Sequence, residues 1–77
     1  MYFIQPTRNI PYLDQVLSTL PGVQMIHIDD IDLYDPTILA IADVQDYLTH
    51  QWSLPTIVLA FENEGTALAQ AWELGAL

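Results

Sequence analysis

Short apolar runs predict three β-strands along the chain. They lie at residues 2–4, 23–28 and 56–60, and each contains β-branched or aromatic residues next to proline, glycine or polar residues. The run at residues 56–60 is continuously apolar, which is typical of a strand covered on both faces in a parallel sheet. We therefore expect Ile57 to belong to the hydrophobic core.

Two other segments repeat apolar residues near every 3.6 positions, which predicts amphipathic helices. The first has Asn9 as its predicted N-cap and is ended by Pro21-Gly22. The second has Asn63 as its predicted N-cap and Gly75 at its C-terminal end. The apolar positions are Ile10, Leu13, Val16, Leu17 and Leu20 in the first helix, and Ala67, Leu68, Ala71, Trp72 and Leu74 in the second.

Residues 35–52 fit two interpretations. In the first they form a single helix with Asp35 as the N-cap and Pro36 in the first turn. In the second they form a buried strand over residues 37–42 and a short helix over residues 44–51. Only about eight residues separate Ile28 from Thr37, and a parallel crossover usually needs a dozen or more, so connection length favours the single helix. Both interpretations alternate strands with helices, which predicts a small parallel α/β sheet of three or four strands with helices on its faces.

Composition limits the class of protein. The 77 residues allow one domain, residues 1–77, and 52% of them are hydrophobic. From this apolar excess we expect a protein partner, and we also expect the chain to self-associate, with a symmetric dimer as the commonest closed form. The chain has no cysteine, no signal-peptide pattern and no apolar run of transmembrane length, so we expect a cytoplasmic protein. Ten carboxylates face one cation, Arg8, which argues against direct binding to nucleic acid or to a membrane.

Three segments resemble response-regulator receiver domains, which have a flavodoxin-like fold. Leu-Pro-Thr-Ile-Val-Leu-Ala at residues 54–60 and Gly-Thr-Ala-Leu-Ala-Gln-Ala-Trp-Glu-Leu-Gly-Ala at residues 65–76 are similar to the fourth strand and fourth helix of that family. Asp-Pro-Thr-Ile-Leu-Ala-Ile-Ala-Asp at residues 35–43 resembles the third strand, which ends on the phosphoacceptor aspartate. The resemblance implies a strand over residues 37–42, and it makes Asp43 the phosphoacceptor candidate.

Most of the residues that receivers use for phosphorylation are missing from this chain. Gln5 and Pro6 stand where receivers have the acidic pair that holds Mg²⁺, and Ala60 stands where they have Ser or Thr. The chain has no lysine and no fifth strand. Phosphorylation of Asp43 would therefore lack the cations that neutralise an incoming phosphoryl group. The resemblance is to a degenerate pseudo-receiver or to a fragment of one, for which we expect no metal, no cofactor and no enzymatic activity.

Other candidate sites have simpler interpretations. Asp29 and Asp30 follow a strand and resemble an acidic metal pair. Their strand is the second, and in the strand order that the receiver resemblance implies, the first strand separates it from the strand ending at Asp43. A turn-forming acidic loop is therefore the favoured interpretation. His27 lies in a predicted strand and His50 near a helix end, without the spacing of a metal site.

Two functions fit these observations. The favoured one is a receiver-like signalling module that acts by protein–protein contact, either within a transcription or signalling regulator or as a separate adaptor. Phe61, Leu68 and Trp72 are its candidate interface residues, because large apolar side chains dominate binding hot spots. The alternative is a small acidic inhibitor that mimics nucleic acid and blocks a basic protein. A mimic needs carboxylates spaced along an exposed face, whereas a receiver gathers them at the carboxyl ends of its strands.

Overall fold

The computed structural model describes residues 1–77, and its centre is a sheet of four short strands. They are β1 (Tyr2–Ile4), β2 (Gln24–Ile26), β3 (Ala40–Asp43) and β4 (Thr56–Leu59). The strand order is β2-β1-β3-β4, and every neighbouring pair is parallel. The predicted small parallel α/β fold is confirmed. This order is that of a flavodoxin-like sheet without a fifth strand.

Three helices connect or follow the strands. They are α1 (Leu13–Ser18), α2 (Val44–His50) and α3 (Gly65–Glu73), and a 3₁₀ turn spans Ile28–Asp30. Across the sheet, the chain moves in one direction from β1 to β2 and in the opposite direction from β3 to β4. Because both crossovers are right-handed, their helices α1 and α2 lie on opposite faces of the sheet. Helix α3 packs beside α2. None of the helices has both the length and the apolar character that a membrane span requires.

The main core lies between the sheet and the α2–α3 face. Residues that alternate along the strands point to this face, including Ile4, Ala42 and Val58, and all three are buried. Trp52 also packs here, with its ring edge-on to Tyr47 at 5.7 Å between centroids. The remaining buried members of this core are Ile31, Ala40, Val44, Leu54 and Ala71.

The opposite face of the sheet is covered only at its centre. Phe3 and Ile41 are buried there, whereas Ile57 and Leu59 on β4 are 37% and 39% exposed. The predictions that β4 is covered on both faces and that Ile57 belongs to the core are therefore wrong. Strand β4 is the edge of the sheet, and no element beyond it covers these side chains.

The segment at residues 35–52 forms a strand followed by a helix, as the receiver resemblance implies. Connection length favoured the wrong interpretation because both flanking strands are shorter than predicted. Strand β2 ends at Ile26 and β3 begins at Ala40, which leaves residues 27–39, thirteen in all, for the crossover. That length satisfies the usual requirement for parallel strands.

The helix ends differ from two of the predictions. Asn9 does not cap α1, which begins at Leu13 after Tyr12 in a left-handed conformation with φ of 62°. The reason is Pro11, which disfavours the helical conformation of the residue before it. Helix α3 begins at Gly65, one residue later than an Asn63 cap would place it.

The end of α3 confirms the prediction for Gly75. Its φ is 103°, a conformation that glycine adopts without steric cost. The Gly75 N–H donates to the Trp72 carbonyl, and the Ala76 N–H donates to the Ala71 carbonyl, both at 3.0 Å. These two bonds form a Schellman motif, which ends the helix and satisfies two of its last carbonyls.

Candidate functional site

The carboxyl ends of β1, β3 and β4 meet at one edge of the sheet. The strand order reverses between β1 and β3, and open α/β sheets bind their ligands outside the carboxyl ends at such a point. Three charged side chains lie here. Arg8 is in the loop after β1, Asp43 is the last residue of β3, and Glu64 precedes α3. We call these three residues the Arg8 cluster.

The guanidinium of Arg8 binds both carboxylates. Its Nε donates to Asp43 Oδ2 and its Nη2 to Asp43 Oδ1, each at 2.7 Å. The same group donates to Glu64, from Nη1 to Oε2 at 2.9 Å and from Nη2 to Oε1 at 2.6 Å. Planar two-point contacts of this kind are the strongest charge-assisted hydrogen bonds in proteins. The Phe61 ring lies against the guanidinium, with its centroid 4.3 Å from Arg8 Cζ.

The two carboxylates of the Arg8 cluster are largely shielded from solvent. The side chain of Asp43 is 1% exposed and that of Glu64 is 11% exposed, whereas that of Arg8 is 32% exposed. The hydrogen bonds from Arg8, the Phe61 N–H and Gln45 lower the pKa of Glu64 to about 2. The hydrogen bonds to Glu64 and Asp43 raise the pKa of Arg8. Arg8 and Glu64 are therefore charged at neutral pH.

A second contact attaches the Arg8 loop to α2. Asp46 is buried in the first turn of that helix, where it accepts from Thr7 Oγ1 at 2.7 Å and from the Thr7 N–H at 3.1 Å. Thr7 and Arg8 are adjacent, so this contact holds the loop over the end of β3. Asp46 is thus a positioning residue for the Arg8 cluster.

The Arg8 cluster limits what Asp43 can do chemically. A phosphoacceptor aspartate needs a free oxygen and a nearby cation that binds the incoming phosphoryl oxygens. Both oxygens of Asp43 already accept hydrogen bonds from Arg8. The protein has no group of three or more His, Asp or Glu side chains arranged to hold a metal ion. Asp43 also makes no capping hydrogen bond to α2.

The acidic residues after β2 form turns. Asp32 accepts from the Tyr34 N–H at 3.0 Å, and Asp35 accepts from the Thr37 N–H at 2.9 Å. These bonds are typical of turn-forming aspartates. His27 lies outside β2, contrary to the prediction, and its Nδ1 accepts from the Asp29 N–H at 3.2 Å. It leaves the strand because the backbone turns into the 3₁₀ segment directly after it.

The predicted interface residues lie on two elements. Trp72 is 59% exposed on α3, whereas Leu68 on the same helix is half-buried against the core. Phe61 follows β4 and is 40% exposed. Their role at an interface stays a prediction.

The sequence interpretation missed Arg8, Glu64, Thr7 and Asp46 as parts of the site. One signal was present, because Arg8 is the only Lys or Arg in a chain with ten carboxylates. A lone cation in such a chain is expected to pair with the most buried carboxylates. Which ones it pairs with depends on the order of the strands in the sheet.

Comparison with known proteins finds no relative. No protein-family model matches the chain, and no curated protein or solved structure matches it significantly.

Proposed function

We propose that this protein is a receiver-like regulatory module that acts by protein–protein contact and carries out no phosphoryl chemistry. Arg8 takes the place that a metal ion and a lysine hold in an active receiver. The module would form the regulatory part of a transcription or signalling regulator or act as a separate adaptor. The absence of cysteine favours the cytoplasm as its compartment.

One observation carries the proposal, namely that Arg8 occupies both oxygens of a buried Asp43. Transfer of a phosphoryl group to Asp43 would require Arg8 to release one oxygen and a second cation to enter. Releasing a buried carboxylate from its partner costs several kcal/mol. The internal ion pair therefore favours a single unmodified state, which suits recognition by contact.

The distribution of carboxylates favours this function over nucleic-acid mimicry. Asp43 and Glu64 are bound by Arg8, and Asp46 is bound by Thr7, so these three are turned inward. Asp29, Asp30, Asp32 and Asp35 are confined to the single connection between β2 and β3. A mimic needs negative charges that follow an exposed face at regular spacing.

The first test measures phosphorylation at Asp43. The protein is incubated with acetyl phosphate and Mg²⁺, and its intact mass is recorded. We expect no added phosphoryl group, because Asp43 has no free oxygen and no metal site beside it. A stoichiometric gain in mass that disappears in the Asp43→Asn variant would contradict the proposal.

The same proposal is tested for partner contact by photo-crosslinking in the cells that produce the protein. A photo-reactive amino acid is placed at Trp72, and at Tyr34 as an exposed control in the acidic loop. We expect a protein other than the chain itself to be captured from position 72 and not from position 34. Capture of a basic protein from position 34 alone would favour the acidic inhibitor instead.

A further inference from the structure

Residues 10–13 form a tight turn with a tyrosine where glycine is the usual residue. The Ile10 carbonyl accepts from the Leu13 N–H at 3.4 Å, and Tyr12 has φ of 62° and ψ of 16°. With Pro11 before it, Tyr12 occupies the third position of a type II turn, where the left-handed conformation favours glycine or asparagine. A residue with a Cβ atom adopts this conformation at a cost in free energy. Tyr12 is therefore strained.

The Tyr12 side chain gains little from the fold that could offset this strain. It is 73% exposed, so its ring contributes almost no burial. Glycine would relieve the strain, yet the chain has a large aromatic ring at this position. Strained residues whose own packing does not explain them are concentrated at binding and active sites. The exposed ring therefore indicates a binding surface.

Tyr12 lines a cleft of about 720 Å³ between the loop after β1 and Met25 of β2. The cleft lies beside β2, at the opposite edge of the sheet from β4 and Leu77. Its volume is within the range of ligand-binding clefts. None of its twelve lining residues is buried and only four are hydrophobic, so a small molecule in it would stay largely in contact with water. A segment of a larger partner suits the cleft better, because the surface of that partner covers it.

The free charge in this cleft is negative. Arg8 and Asp14 are its only charged lining residues. The guanidinium of Arg8 already donates from all three nitrogen atoms to Asp43 and Glu64, so it is not available to an anion. Asp14 is exposed and makes no ion pair. The whole chain has a net charge of −9, which attracts cations toward its surface.

The loop that forms the cleft is ordered without a ligand. Pro6 and Pro11 each fix one φ angle in it. Thr7 is hydrogen-bonded to Asp46, and Arg8 is hydrogen-bonded to the two carboxylates of its cluster. A site that is already ordered loses little conformational entropy on binding.

We propose that this cleft binds an arginine side chain presented by a basic partner protein. The planar guanidinium stacks on the ring of Tyr12 and pairs with the carboxylate of Asp14. The amide oxygens of Gln5, Asn9 and Gln15, which also line the cleft, are acceptors for the remaining N–H groups. Arginine suits the site better than lysine, because only a guanidinium can stack on a ring and form two-point hydrogen bonds at the same time.

Binding of a basic segment rests on the proposed function in one respect, namely that the partner is a protein. The two can fail separately. Cross-linking at Trp72 and phosphorylation of Asp43 do not involve the cleft, whereas a peptide titration needs neither the partner nor Asp43.

The test is a titration of the isotope-labelled full chain, followed by NMR, with a blocked peptide that has one arginine among lysine, serine and glycine residues. Matched peptides have lysine or citrulline in place of the arginine. We expect the arginine peptide to bind about fivefold more tightly than either one, with shifts at residues 5–15 and Met25. N-acetyl-arginine amide should bind about tenfold more weakly than the arginine peptide, because it lacks the flanking cations. Equal affinity would assign the cleft to a small cation and contradict a protein partner.

The variant Tyr12→Gly separates binding from folding. Because glycine relieves the strain of the turn, the midpoint of thermal unfolding should stay unchanged or rise, while affinity for the arginine peptide falls about fivefold. Tyr12→Phe keeps the ring and should keep the affinity. Asp14→Asn should weaken binding, and its effect should shrink as salt is raised. The matched controls Tyr34→Ala and Glu62→Gln change exposed side chains outside the cleft and should leave the affinity unchanged.

Four results would overturn the proposal. Three concern binding, namely wild-type affinity in Tyr12→Gly, equal affinity for the arginine and citrulline peptides, and shifts confined to the acidic residues 29–35. The fourth is a marked fall in the thermal stability of Tyr12→Gly, which would show that the ring is retained for packing within the fold.

Discussion

At the scale of single residues, the fold depends on one cation. Asp43 lies at the end of a buried strand with 1% of its side chain exposed, and burial of an unpaired carboxylate is costly. Arg8 compensates that charge and at the same time attaches the Glu64 loop to the sheet. The ion pair therefore determines where the loops after β1 and β4 lie, in addition to compensating charge.

We predict that removing Arg8 alone lowers the free energy of unfolding more than removing both Arg8 and the charge of Asp43. Arg8→Leu should lower the free energy of unfolding by about 3 kcal/mol, because it leaves a buried carboxylate without its partner. Arg8→Leu combined with Asp43→Asn should recover part of that loss. Urea denaturation of the wild type and the variants measures both effects, and an additive double variant would show that the pair is not coupled.

At the scale of secondary-structure elements, β4 differs on its two faces. Thr56 and Val58 are buried against the α2–α3 face, where Thr56 Oγ1 accepts from Trp52 Nε1 at 2.7 Å. Ile57 and Leu59 alternate onto the partly open face. An apolar sequence therefore does not by itself report burial, since an edge strand in this fold is covered on one side only.

We predict different losses of stability when alanine replaces two isoleucines that are neighbours on adjacent strands. Ile41 and Ile57 are register partners on β3 and β4, but Ile41 is 8% exposed and Ile57 is 37% exposed. Ile41→Ala should cost about 2–5 kcal/mol, and Ile57→Ala about 1 kcal/mol, when both are measured by urea denaturation of dilute protein. The expectation is met if Ile41→Ala is unfolded and Ile57→Ala still unfolds cooperatively. Equal costs would mean that Ile57 is buried after all.

At the scale of the whole molecule, the protein is strongly acidic with its few favourable charge contacts in one place. The Arg8 cluster holds the only ion pairs formed by an Arg side chain. Of the remaining carboxylates only Asp46 is buried, and the others lie on the surface or in turns. Stability toward acid therefore depends on a small number of groups. Glu64 and Asp35 are two of them, because their hydrogen bonds lower their pKa values.

We predict that acid destabilises the protein through Glu64. A carboxyl group whose pKa is lowered by folding contributes stability above its unfolded pKa, and that contribution is lost as pH falls through the folded pKa. For Glu64 the window runs from 4.5 down to about 2. In thermal melts across this range, Glu64→Gln should lose stability less steeply than the wild type. Glu62→Gln is the control and should keep the wild-type slope, and an unchanged slope for Glu64→Gln would contradict the prediction.

Much of the architecture could be predicted from the sequence, because local patterns determine it. The strand at residues 2–4, the helical repeat before Gly75 and the left-handed end at Gly75 depend on neighbours within a few positions. The alternation of strands and helices then requires parallel pairing. The error at Asn9 was avoidable from the sequence, since Pro11 disfavours the helical conformation at Ile10 that an Asn9 cap requires.

The sequence by itself determined which charged side chains are available, and only the tertiary structure decided which of them meet. Arg8 is the one Lys or Arg side chain beside ten carboxylates, but its partners could not be named, because β1, β3 and β4 are far apart in the chain and their ends come together only in the sheet. The same holds for β4. The sequence shows that β4 is apolar. Its exposure on one face follows from its position at the edge of the sheet, and that position depends on the strand order of the folded protein. Burial and ion pairing depend on these long-range neighbours, so a local pattern could not determine them.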